Sequence, residues 1–579
     1  MNNKSNLKKI LDLFKKGDLD KALALCDNSE DKSNKHIISN LKGAIYQKQK
    51  NYSLAVKNFM KSIEFNKNFI DPYNNLYALF ISNKDLKNLI IIASKIYELD
   101  KSNSLSNFKL AYALELSGNL SQSINFYNSA ISLGFKDKKI IYNNLGNIYL
   151  QLDKIDKSIE LFSKSYEENL NNKFIINNLI KALIRKKEID KIEILLEKAK
   201  TLDEKYSEYL YNKAEFFILK QEFDSAIIIL KDLIKNNKNS KYYLLLSKIY
   251  FTIGEIKKGD DIINESMNLF SNDFKVINFK GMRDLFYGNF NEGWKLYDYR
   301  RSALNKLYPQ IPEWKGENLV NKKILVYNEQ GIGDCIQFSK YLFLLNKICK
   351  DIDFLVDKKI YNMFRKDVGG IKICIKEDII LNKYDFKIPL GSLLKFFYKQ
   401  INTIKESLIH IDNKKYKTFN KKIKNSKMNV GLVWSGSIYG PNEPYRSISL
   451  SKMEKILNLD ANFFCLQNDI RESDQNSFKK SNILDYGHLS FGEIPSFIKN
   501  LDLIISTDTS FLHMSGSINK ETWCLLSMNP DWRWGKFYEL DPYSNSKIFK
   551  QKKFNDWSEV LENVEKDLNE RIKKFSNLN

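Results

Sequence analysis

One spacing constrains this chain more than any other: small or apolar residues recur about every 34 positions through its first 300 residues. Ile10, Gly43, Tyr77, Ala111, Gly146, Ile180, Ala214, Ser247 and Gly281 are separated by 33 to 35 residues. Twelve positions after each come Ala22, Ala55, Leu89, Ser123, Ser158, Ile192, Ala226, Gly259 and Gly293, mostly small. Sixteen after each come Cys26, Phe59, Ala93, Tyr127, Phe162, Leu196, Leu230, Ile263 and Tyr297, mostly bulky. A small side chain twelve on and a large one sixteen on describe two antiparallel helices in close contact. A period of this length predicts a stack of helical hairpins, each burying one face against the next.

These positions resemble the tetratricopeptide (TPR) pattern, including the Leu145-Gly146 pair that precedes Tyr149. The resemblance implies an α-solenoid over residues 1–303, with about nine hairpins and a groove that binds a protein or peptide.

The pattern ends near Ala303, and all seven tryptophans lie at or after Trp294. Short apolar runs then alternate with helical segments. The first set is 323–327, 351–356, 371–375 and 385–390; the second is 429–434, 462–467, 482–487, 501–506 and 522–527. Alternating strands and helices predict parallel sheets. The Lys-rich stretch 412–427 parts them into two Rossmann-like halves, 304–427 and 428–579, with a cleft between.

Ligands of such sheets sit beyond the carboxyl ends of the strands. Four loops there carry unusual residues. The turn after 323–327 holds Gly331, Gly333 and Asp334; the others are "SGSIYGPNEPYRSISL", "TDTSFLHMSGS" and "MNPDWRWG". A dinucleotide fingerprint would need a third glycine where Ile336 stands, and no Walker lysine follows. Asp334 has two readings: an acid that satisfies N–H groups at a helix start, or a general base facing the cleft. Asp508, Thr509, Ser510 and His513 begin a second helix, suited to an anionic leaving group. His513 as a satisfied buried histidine is the alternative. Arg446, beyond Ser435 and Gly436, is placed to pair with a diphosphate.

In this order and spacing, "NEQGIGDCIQFSKYL", "VGLVWSGS…YRSISL" and "DLIISTDTSFLHMSGS…PDWRW" resemble bacterial TPR proteins with a C-terminal glycosyltransferase region. That region is similar to the family-nine ADP-heptosyltransferases and, more distantly, to O-linked N-acetylglucosamine transferase. The resemblance implies a GT-B fold and an inverting, metal-independent transfer from a nucleotide-sugar to a hydroxyl. It makes Asp334 the base, on an acceptor-side loop with Gly331 and Gly333. Ser435, Gly436, Arg446, Asp508, Thr509, Ser510 and His513 would bind the donor, Ser510 standing where the family has glycine. No cofactor is implied, the nucleotide-sugar being a substrate. The alternative is a TPR adaptor whose transferase-like region binds a ligand without turnover.

The balance of 92 basic and 70 acidic residues, +22, suits an anionic partner. Its lysines are spread throughout, however, without an Arg-rich stripe or aromatic box, so no nucleic acid is expected. Six scattered cysteines form no CxxC pair and suggest neither a disulfide framework nor a zinc site. Apolar runs fall short of the roughly 20 residues a membrane span needs. A soluble, cytoplasmic protein is expected.

Overall fold

The computed structural model describes residues 3–29, 33–303, 307–423, 426–437, 445–540 and 543–577. Residue 304, where the second region is expected to begin, lies outside these, as do residues 438–444 of the loop before Arg446. The chain divides into two compact units, Met1–Gln221 and Glu222–Asn579.

The first unit is a succession of helices from Asn3–Lys16 to Ser207–Leu219. The repeat positions do in it what their sizes predict. A Cβ on Gly43 would stand 2.5 Å from the Phe59 ring, and one on Gly146 would stand 2.7 Å from Phe162. Glycine is needed there because the bulky residue sixteen on fills the space a side chain would take. The small residue twelve on also has a polar role. Ser123 Oγ donates to the Ala111 carbonyl and Ser158 Oγ to that of Gly146, each at 2.8 Å. A buried hydroxyl thus finds a partner in the facing helix, so the close approach leaves no orphaned polar group.

The second unit opens with helices Phe223–Asn236, Ser240–Thr252, Ile256–Leu269, Phe274–Tyr287 and Phe290–Tyr297, which continue the repeat pattern, and then holds two sheets. The first sheet contains β1 (Lys323–Tyr327), β2 (Asp351–Leu355), β3 (Asp367–Val368), β4 (Ile371–Cys374) and β5 (Phe386–Pro389), in the order β3-β4-β2-β1-β5. Only β3, a two-residue edge, runs antiparallel. The second contains β6 (Met428–Val433), β7 (Ala461–Cys465), β8 (Leu484–Asp485), β9 (Leu503–Thr507), β10 (Thr522–Leu526) and β11 (Ser546–Lys550), in the order β11-β10-β9-β6-β7-β8 and parallel throughout.

Each order reverses once, between β1 and β5 and between β6 and β9. Such a reversal opens a crevice at the carboxyl ends, because the connections on its two sides leave to opposite faces. A single apolar core joins both sheets and includes Ile324, Phe354, Ile504, Phe511 and Met514. Leu285, Trp294 and Tyr297 of the preceding helices belong to the same core. A second core, with Trp434, Trp557 and Leu568, lies against the other face of the six-stranded sheet. No helix among the described residues is long and apolar enough to cross a membrane.

Candidate functional site

The turn after β1 leads through Asn328–Gly331 into helix Ile332–Ser339. Gly331 is its extended N-cap, and Asp334 stands in the first turn. Asp334 Oδ2 accepts the Gly331 N–H at 3.2 Å, the local role open to a helix-terminal acid. Its Oδ1 forms an ion pair with Arg533. The Gln330 amide, oriented to satisfy both of its ends, donates to the same oxygen at 3.1 Å. Asp334 therefore both completes the helix start and reaches the second half of the unit.

Gly333 serves the contact between the halves. A Cβ there would lie 2.9 Å from His513 Cδ2 and 3.6 Å from Ser510 Cα. The start of helix Ile332–Ser339 thus presses on helix Ser510–Ser517, with Gly333 as the point of closest approach. A cleft of about 490 Å³ opens at the carboxyl ends of β1, β2 and β4, lined in part by Asn328, Gly331, Val356, Lys359 and Lys376.

At the end of β6 the Gln467 side chain clamps the backbone. Its Oε1 accepts Trp434 N–H and Ser435 N–H at 3.1 and 3.2 Å, and its Nε2 donates to Ser435 Oγ at 3.1 Å. Ser435 is buried by this arrangement. At Gly436 the missing side chain makes room for Arg446, whose Nη2 would stand 2.5 Å from a Cβ. Arg446 Nη1 donates to the Asp508 carbonyl at 3.2 Å, which ties the loops after β6 and β9 together at the switch point. Thr509 is the extended N-cap of helix Ser510–Ser517, and its hydroxyl lies 3.0 Å from that of Ser506.

His513 is buried on that helix. Its Nδ1 shares a 2.8 Å hydrogen bond with the Tyr543 hydroxyl, its ring stacks on Trp534 at 6.0 Å, and its Nε2 is 3.6 Å from Asp508 Oδ1. The imidazole is thus held in one orientation from three sides.

Two site residues were not singled out from the sequence, although their loop was. Asp531 and Arg533 follow β10, and each is set by the tryptophan beside it. Trp532 is inserted among Trp294, Tyr297 and Phe537, at ring distances of 5.5, 5.2 and 5.1 Å. Trp534 covers His513. Between these anchors Arg533 turns to Asp334, with its Nε 3.1 Å from Asp531 Oδ1. Asp531 Oδ1 also accepts the Arg533 N–H at 3.1 Å. Burial, and then the nearby charge of Asp508, push the Asp531 carboxyl up to about 7; the Arg533 N–H and the Arg446 charge oppose them. The signal available in sequence was an acid and an arginine interleaved with tryptophans at a strand end.

The site therefore combines three carboxylates, two guanidinium groups and an imidazole from four strand-end loops. Asp334 comes from one half and the remainder from the other. Two guanidinium groups suit a ligand with more than one negative charge.

The tetratricopeptide repeat model matches residues 38–69 and 140–172. No curated protein gives a significant match. Among solved structures the chain is similar to YrrB, described as a TPR protein with an unusual peptide-binding site: 19% identity over 34% of this chain and 100% of that one, TM-score 0.28. It is also similar to pilF of Pseudomonas aeruginosa, at 16% identity over 36% of this chain and 95% of that one, TM-score 0.32. A further similar structure is a tetratricopeptide repeat protein from Parabacteroides merdae, at 13% identity over 42% of this chain and 97% of that one, TM-score 0.35.

Proposed function

We propose that the two sheets form a glycosyltransferase that moves a sugar from a nucleotide-sugar to a hydroxyl, and that the tetratricopeptide repeats bind the protein on which it acts. Tetratricopeptide repeats imply protein–protein interaction, since stacked hairpins present extended binding surfaces. The observation that carries the transferase reading is the pairing of the switch points. Asp334 follows the strand at one; Gly436 and Asp508 follow the strands at the other, and Gly333 touches His513 between them.

In this reading the acceptor hydroxyl gives its proton to Asp334 as its oxygen bonds to the anomeric carbon. The bond from that carbon to the diphosphate breaks on the opposite face, and its electron pair leaves with the diphosphate. The configuration inverts. Arg446 and Arg533 offset the charge that develops on the leaving group, and His513, held by Tyr543, borders it.

A second reading, a protein-binding adaptor whose sheets hold a ligand without turnover, is favoured by one observation. Both oxygens of Asp334 already have partners, Gly331 N–H on one and Arg533 on the other.

The test is to incubate the full chain with a panel of nucleotide-sugars and follow nucleoside-diphosphate release and sugar attachment by mass spectrometry. Asp334→Asn keeps the helix-start acceptor but cannot take a proton, so transfer should fall about 100 to 10,000-fold. Retained transfer returns Asp334 to a helix-terminal acid; binding of a nucleotide-sugar with no turnover in the unaltered chain selects the adaptor.

A further inference from the structure

We propose that Arg533 exchanges partners during the cycle: it holds Asp334 in the ligand-free protein and moves to the donor diphosphate on binding, which releases Asp334 to act as base. This rests on the transferase reading above.

Four observations carry it. First, the Asp334–Arg533 ion pair crosses between the halves, from the helix start after β1 to the loop after β10. Second, the pair is sheltered, with side-chain exposures of 18% for Asp334 and 13% for Arg533, so solvent screens it little. Third, the backbone on each side of Arg533 is fixed by Trp532 and Trp534, while its side chain lies between two carboxylates, Asp334 and Asp531. With Nε on Asp531 and Nη1 on Asp334, the side chain can turn its outer nitrogens to a new anion without moving the loop. Fourth, Arg446 is in the same charge environment. It lies on the Asp508 carbonyl, and both Asp508 and Arg446 act on Asp531.

A diphosphate placed beside Arg446 carries more charge than one carboxylate, and its oxygens match a guanidinium fork. It therefore competes with Asp334 for Arg533. While Arg533 is on Asp334, that carboxylate oxygen is occupied, and a hydroxyl can reach it only by breaking the ion pair. Once Arg533 has left, that oxygen is open to an acceptor hydroxyl. Deprotonation of a hydroxyl then follows donor binding rather than preceding it. Arg533 is a positioning residue for the base and a direct contact of the leaving group.

The experiment is a double-mutant cycle on the full chain, with inorganic pyrophosphate as probe, titrated by calorimetry at pH 8 and low salt. Asp334→Asn removes the competitor, so pyrophosphate should bind about 3- to 10-fold more tightly than to the unaltered chain. Arg533→Gln should weaken binding at least about 10-fold, and Arg533→Lys should restore part of it. In the Arg533→Gln background Asp334→Asn should have no effect. Unchanged or weaker binding to Asp334→Asn overturns the exchange and leaves the donor site standing. Failure of the unaltered chain and of Asp334→Asn to bind pyrophosphate, ADP or UDP overturns the donor site and the exchange together. If Arg533→Gln does not fold, the Asp334→Asn comparison alone decides.

Discussion

Gly333 and His513 are in contact across the two halves: a Cβ on Gly333 would stand 2.9 Å from His513 Cδ2. The ring cannot give way readily, because Tyr543 holds Nδ1 and Trp534 covers a face. Gly333→Ala should therefore destabilise the unit by about 1–3 kcal/mol, the usual cost of overpacking a filled site. Chemical denaturation followed by tryptophan fluorescence measures it. An unchanged midpoint would mean that the halves separate easily at this point.

Within the repeats the closest approach of two helices depends on a hydroxyl. Ser158 Oγ donates to the Gly146 carbonyl at 2.8 Å in a fully buried setting. Ser158→Ala keeps the small volume and loses the bond, and should cost about 1 kcal/mol. For a unit of this size that lowers the melting temperature by about 2–4 °C. Circular dichroism reads the change, and Ser123→Ala should behave alike, since its bond to Ala111 has the same length.

The titration of Asp531 gives a stability effect with a defined sign. Its carboxyl is pushed up to about 7 in the folded chain, against about 3.9 when unfolded. Between these values the folded state keeps a proton that the unfolded state has released. Stability is therefore lost as pH rises through that window, by at most about 1.4 kcal/mol per unit, and the loss is complete above pH 7. Asp531→Asn still offers an oxygen to the Arg533 N–H but does not titrate. The difference in stability between variant and unaltered chain should shift in favour of the variant from pH 4 to pH 8. A difference independent of pH would show that Asp531 is already charged in the folded chain at pH 4.

The repeats were legible in sequence because helices that touch demand small side chains at the contact, and Gly43 and Gly146 supply them opposite Phe59 and Phe162. Central strands were legible for a related reason. β1, β6 and β9 are covered on both faces, so their residues are buried almost throughout and mostly apolar. Two strands carry no such signal. β11 is an edge strand with mostly exposed residues, and β3 has two residues, too few for any pattern. The site was legible only in part. Glycine turns and helix-start acids announce themselves locally, whereas Arg533 matters because it meets Asp334, 199 positions earlier, and no local pattern records that meeting. Ser435 shows the reverse case: the loop position was evident, but its hydroxyl accepts from Gln467 on the neighbouring strand's end.

A stable sheet fragment has to begin well before the repeats end. The change from repeat to sheet pattern falls near 303, yet the preceding helices supply part of the sheet unit's core. Trp532 packs on Trp294 and Tyr297, and Gly535 lies so close to the Phe286 carbonyl that a Cβ would stand 2.4 Å from it. Arg300 is the counter-ion of Glu329, at 2.6 Å, and the Glu329 side chain is 2% exposed. A fragment of residues 304–579 loses the ring neighbours of Trp532 and leaves Glu329 buried without its cation, a change that by itself costs about 3–5 kcal/mol. The loop carrying Asp531 and Arg533 would lose its anchor as well. A fragment of residues 222–579 keeps all of these contacts. The longer fragment should be monodisperse on size-exclusion chromatography, with a near-ultraviolet dichroism signal and a cooperative melt, whereas the shorter one should aggregate or melt without cooperativity. A shorter fragment that melts cooperatively at the same temperature would show that Trp294, Tyr297 and Arg300 contribute little to the sheet unit.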